Sequence, residues 1–186
     1  MNRLVTVKGE NLQPHSNAQK PVTMNKFWKT VLLTTLIAGT DDLIFAYVSQ
    51  FVKTGKFADK MLYYIAGGGL GLETSMQGGF WIGLLGLFFH YFIAFSFTLL
   101  FFMAYPTLKF QRINKYWLFV IGMLYGPFVS CFMRYIVLPL SRLPAQKPLV
   151  IQKELLSWAI FGLVFSVPIA FMARMYYASK AKRLNN

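Results

Sequence analysis

The sequence predicts an all-α polytopic membrane protein with four transmembrane helices and a short interfacial helix between the first and second. Three observations lead there. The chain is 56% hydrophobic and only 13% charged, a balance that a soluble domain of 186 residues rarely tolerates. Its apolar residues fall into four long runs, and about 20 residues at ~1.5 Å each suffice to span the ~30 Å hydrocarbon layer of a bilayer. Prolines, glycines and basic residues gather between the runs, where loops belong.

Taken in order, residues 1–26 are polar, contain Pro14 and Pro21, and read as a tail. The transmembrane domain covers 27–178, and 179–186 form a basic C-terminal tail. The first span is expected over 27–52, with Trp28 at the interface. Its paired aspartates and the lack of a small-residue cleavage site argue that it is a retained helix and not a signal peptide. Residues 57–66 mix aromatic, charged and apolar side chains, as a helix lying on the membrane surface does. They run into Gly67, Gly68, Gly69 and Gly71, a stretch better suited to close contact or a flexible connection than to phosphate, since no Gly-Lys-Ser/Thr follows. The second span is expected over 80–105, stopped by Pro106, and the third over 116–138, stopped by Pro139. The fourth follows a proline-containing loop and covers 155–177. Pro127 and Pro168 fall inside the third and fourth spans and are expected to bend them.

The net charge of +13 would suggest nucleic acid in a soluble protein, but here the bases flank apolar spans. That placement fits membrane topology and anionic headgroups, and no nucleic-acid signature is present. About twelve Lys and Arg fall in the N-terminal tail, the loop with Lys109, Arg112 and Lys115, and the C-terminal end; about six fall in the other two loops. The positive-inside rule therefore puts both termini in the cytoplasm. One cysteine, Cys131, excludes an internal disulfide framework, and the scattered His and Cys residues make no metal pattern. No cofactor is expected.

The residues with chemistry lie inside the spans. Asp41 and Asp42 stand in the middle of the first apolar run, where each carboxylate costs roughly 2.5–3.5 kcal/mol on insertion scales and needs compensation. Helices in lipid associate through small residues and through polar side chains that would otherwise lack partners. At i, i+3 or i+4 spacing the spans show such faces: Gly39 with Asp42; Gly83 and Gly86 with His90; Gly122 and Gly126 with Ser130 and Arg134; Gly162 with Ser166. Counted from the aromatic residue at each cytoplasmic end, Asp42 lies ~21 Å up, His90 ~22 Å and Arg134 ~25 Å, while Ser166 lies lower at ~15 Å. The expectation is a buried Asp42–His90–Arg134 cluster containing an Asp42–Arg134 ion pair. Asp41 would sit at its edge, with Ser130 and Ser166 contributing hydroxyls. Glycines 39, 83, 86, 122, 126 and 162 would form the packing surfaces.

Several short motifs carry a resemblance. They are Gly39-Thr40-Asp41-Asp42, Gln77-Gly78-Gly79, His90, Leu124-Tyr125-Gly126, and the run from Val137 to Ser141. With them the chain resembles a small uncharacterised bacterial four-helix inner-membrane protein family. The resemblance implies the bacterial cytoplasmic membrane and four helices. It implies no activity, and no role for Asp41, where the family carries an apolar residue. The leading functional reading is a non-enzymatic membrane protein whose buried cluster serves proton-linked transport or sensing, alone or as a homo-oligomer. The alternatives are a structural or assembly subunit of a larger membrane complex, and an intramembrane enzyme acting on lipid or quinone. The enzyme reading lacks a nucleophile–base pair, a metal motif and a cofactor motif.

Overall fold

The computed structural model describes residues 22–144 and 151–184, and these are almost entirely helical. Residues 1–21 of the expected tail, the stretch 145–150 around Pro148, and residues 185 and 186 lie outside the described residues. Six helices follow in order: α1 (Val22–Thr54), α2 (Met61–Leu70), α3 (Leu72–Ser75), α4 (Phe80–Thr107), α5 (Lys115–Leu140) and α6 (151–184). Helices α1, α4, α5 and α6 are each long and apolar enough to cross a membrane. They extend past the expected limits at several ends. Helix α1 begins at Val22, inside the stretch read as tail, and α6 continues to Leu184, through most of the basic segment. Length and hydropathy mark where a span must be apolar, but a helix can run on into the headgroups.

Large side chains that point away from the bundle are apolar, among them Leu33, Leu36, Ile44 and Val48 on α1 and Phe88, Phe92 and Met103 on α4. In water this would be an aggregation surface; against lipid it is the expected outer face. Inside, Phe101, Phe102, Tyr105, Leu118 and Ile169 are fully buried. Near the chain termini the rings of Tyr105 and Tyr177 stack at 5.1 Å, and the Tyr177 hydroxyl donates to the Phe102 carbonyl at 2.9 Å. Helix α5 starts at Asn114, whose side-chain oxygen accepts the Trp117 amide at 2.9 Å, satisfying one of the free donors of the first turn.

Helix α6 is the hub: it packs on α1, α4 and α5, whereas the close backbone neighbours of α1 are α4 and α6. Glycines set these approaches. A Cβ on Gly126 would stand 2.5 Å from Gly162 Cα, so α5 and α6 touch backbone to backbone. Gly122 faces Val167 and Ala170, and Gly39 faces the Tyr91 ring and Ala94. Gly86 lies directly against the backbone of Leu62, and Gly83 beside the Tyr63 ring. The α4 glycines therefore receive α2 and not another span. The short helix runs from Met61 to Leu70 and incorporates Gly67–Gly69, later than the expected 57–66. It ends at Gly71, whose φ of +89° is strained for any residue with a Cβ. Its far end meets the α5–α6 connection, where the Arg142 amide donates to the Gly68 carbonyl at 3.0 Å.

Two spans contain a π turn, Met133–Val137 in α5 and Gly162–Ser166 in α6. Each ends two residues before a proline, Pro139 and Pro168. A proline lacks the amide for the carbonyl four residues back and its ring crowds that carbonyl; a widened turn relieves the conflict. Pro127, expected to bend α5, lies within regular helix. The Met123 carbonyl, which Pro127 leaves without its usual amide, faces Gly162.

Buried hydroxyls in these helices are mostly satisfied locally. Thr34 and Thr35 donate to carbonyls four residues back at 2.8 and 2.9 Å. Thr98 Oγ1 and Ser166 Oγ are buried without a hydrogen-bond partner. Ser166 sits at the end of the π turn Gly162–Ser166. Ser166→Ala and Thr98→Val should therefore leave the melting temperature in detergent unchanged, or raise stability by up to about 1 kcal/mol, since each removes an unsatisfied group. A loss larger than about 1 kcal/mol in either variant would show that its hydroxyl has a partner.

Candidate functional site

The centre of the molecule on the side away from the termini is a cavity of about 340 Å³. All four spans and α2 wall it. Helix α1 contributes Asp42, Leu43 and Ala46; α4 contributes His90, Ile93, Ala94 and Phe97. The rest is Met61 and Ile65 of α2, Val129 and Met133 of α5, and Phe161 and Phe165 of α6. Met133 and Phe165 belong to the two π turns, so the widened turns shape the cavity from two sides. The Phe161 and Phe165 rings lie parallel, 5.0 Å apart, and form a flat wall.

Asp42 and His90 are the polar side chains of this wall. His90 is oriented by α1, since its Nε2–H donates to the Gly39 carbonyl at 2.8 Å. In the neutral ring this bond leaves Nδ1 as an acceptor. One residue along on each helix, Thr40 Oγ1 and the Tyr91 hydroxyl are 2.7 Å apart. The stretch from Gly39 to Asp42 thus does three things within one turn: it admits α4, holds the imidazole through a carbonyl, and supplies the carboxylate.

Part of the expected cluster does not form. Among the described residues there is no buried ion pair, and Arg134 is not on the cavity wall. Two features explain this. The close neighbours of α1 are α4 and α6, which set it apart from α5. On α5 the cavity face passes through Val129 and Met133, which turns Ser130 and Arg134 onto flanking faces. Ser130 is engaged by α6 instead, accepting the Trp158 indole N–H at 3.0 Å. Asp41 is half-buried and lies off the cavity wall, while Ser166 is the orphaned hydroxyl already described.

Sequence reasoning missed the contribution of α2, with Met61 and Ile65, and the aromatic wall of Phe97, Phe161 and Phe165. Nothing in the local pattern marks these residues, because apolar side chains are everywhere in the spans. Met61 also lines a second hollow of about 630 Å³, bounded by Gln50, Asp59, Lys60 and Tyr64 on the loop side of the bundle. Phe57, Ala58 and Met76 complete that hollow, and Met61 is common to both linings.

Fold and site together define a class: a helical-bundle membrane protein with an acid and an imidazole in a central, largely apolar cavity. No protein-family model, curated protein or solved structure matches the chain.

Proposed function

We infer that the protein is a proton-linked transporter or sensor of the bacterial cytoplasmic membrane, with both termini cytoplasmic and Asp42 and His90 as its working pair. The observation that carries this reading is that the two side chains share one cavity at mid-bundle. Ionisable groups inside spans are costly and are retained mostly where they move or bind something. The other walls add no ionisable side chain: α2 brings Met61 and Ile65, α5 brings Val129 and Met133, and α6 brings Phe161 and Phe165. A proton at this height is therefore exchanged between Asp42 and His90, with the Tyr91 hydroxyl on the adjoining face of α4 and Asp41 on that of α1. A route for that proton would pass Met61, which lines both the cavity and the second hollow. The distribution of basic residues supports the orientation.

Liposomes loaded with a pH-sensitive dye test the reading. Under an imposed pH gradient the reconstituted protein should dissipate the gradient faster than protein-free vesicles, and His90→Gln should slow it toward the protein-free rate. Dissipation by the wild-type protein no faster than by empty vesicles, at any imposed gradient, would overturn it.

A further inference from the structure

We propose that the cavity at Asp42 and His90 binds a lipophilic organic ammonium ion: a cationic nitrogen bearing N–H on an apolar body. The inference names a ligand class for the same cavity and rests on the reading of Asp42 and His90 as its working groups. The argument begins with donors and acceptors. The His90 Nε2–H is already spent on the Gly39 carbonyl. What the two polar side chains then offer is acceptors, the carboxylate oxygens of Asp42 and the Nδ1 of neutral His90. Among the described residues no Lys or Arg side chain lines the cavity to neutralise the carboxylate. With Asp42 ionised and the imidazole neutral, the cavity would carry one negative charge in surroundings of low dielectric, where an unpaired charge is costly and a matching cation is favoured.

The remaining wall suits the body of such a ligand. Phe97, Phe161 and Phe165 present ring surface, which attracts cations as well as apolar groups, and Met61 and Met133 are unbranched side chains that adapt to irregular shapes. The volume of about 340 Å³ lies at the lower end of the roughly 300–1,000 Å³ range of small-molecule sites. A single-ring or short-chain amine fits that space; a full phospholipid does not. Neutral quinones and alcohols offer no positive charge to Asp42, so they should be poor ligands.

Equilibrium binding to the full chain in detergent tests this, with radiolabelled 4-phenylbutylammonium as the probe and 4-phenylbutan-1-ol as a neutral competitor of the same length. The expected result is saturable binding of one probe per chain, displaced by unlabelled ammonium at concentrations at least tenfold below those needed for the alcohol. Asp42→Asn should weaken binding at least tenfold, and Ala46→Leu, which fills the cavity beside Asp42, should weaken it as well. Equal displacement by the alcohol, wild-type affinity in Asp42→Asn, or no saturable binding would each overturn the proposal. If Asp42→Asn does not fold, the two competitors on wild-type protein decide alone. The assay needs no pH gradient. Binding without proton flux would leave the ammonium site standing and remove the proton-linked reading; flux without binding would do the reverse.

Discussion

Gly126→Val lowers the melting temperature of the detergent-solubilised protein by roughly 6–12 °C, equivalent to about 3 kcal/mol in a chain of this size. The cause is the contact between α5 and α6. A Cβ at Gly126 would stand 2.5 Å from Gly162 Cα and 2.7 Å from its nitrogen, and a Cβ at Gly162 would stand 2.7 Å from the Met123 carbonyl oxygen. All of these are backbone atoms, so no side-chain rotation relieves the overlap. The helices must move apart, and the two π turns that follow or include this contact must move with them. Gly68→Ala is the matched control. Its nearest neighbour would be Ser141 Cβ at 3.8 Å, ordinary van der Waals contact, and alanine is favoured over glycine in a helix by roughly 0.5–1 kcal/mol. Gly68→Ala should hold or raise the melting temperature. A Gly126→Val protein melting within ~2 °C of wild type, less than about 1 kcal/mol in a chain of this length, would mean that α5 and α6 do not meet here.

On the proposed proton-linked reading, Asp42→Asn should reduce flux in liposomes by at least roughly tenfold, the lower edge of what a positioned acid or base contributes, while Asp41→Asn should leave flux close to wild type. The two residues are adjacent and chemically identical, and both are half-buried. They differ by the ~100° that separates neighbours on a helix. That rotation puts Asp42 on the cavity wall with His90 and takes Asp41 off it. Asparagine keeps the size of the side chain and one acceptor oxygen, replaces the other oxygen with an NH2 donor, and cannot exchange a proton, so the comparison removes titration with little change in packing. Equal flux in the two variants would remove the assignment of Asp42 as the working acid. Melting curves of both variants should accompany the assay, so that loss of flux is separated from loss of fold.

Some of this site could be read from the chain. Counting residues at the helical rise puts Asp42 and His90 near one level, and both line the cavity, but the observed register is offset, since Gly39 stands against Tyr91, which the same count sets ~4.5 Å higher. Small-residue faces located the close approaches, although the partner differed at Gly83 and Gly86, which receive α2. Arg134 passed the same test of height and still does not join. Height fixes one coordinate of a side chain; the direction in which it points depends on rotation about the helix axis and on which helix stands alongside. On α5 that direction is set near the residue itself, where the π turn begins at Met133.

The amino-acid sequence by itself determined the four spans, because length and apolarity are local properties that a bilayer reads directly. Only the tertiary structure decided that α6 contacts α1, α4 and α5, that α2 completes the cavity with Met61 and Ile65, and that Asp42 shares that cavity with His90 and not with Arg134. The physical reason is that a helix in lipid can turn about its own axis at little cost until a backbone contact stops it. Here the stops are Gly39 on Tyr91 and Ala94, Gly86 on Leu62, and Gly126 on Gly162, contacts between residues far apart in the chain that no local pattern encodes.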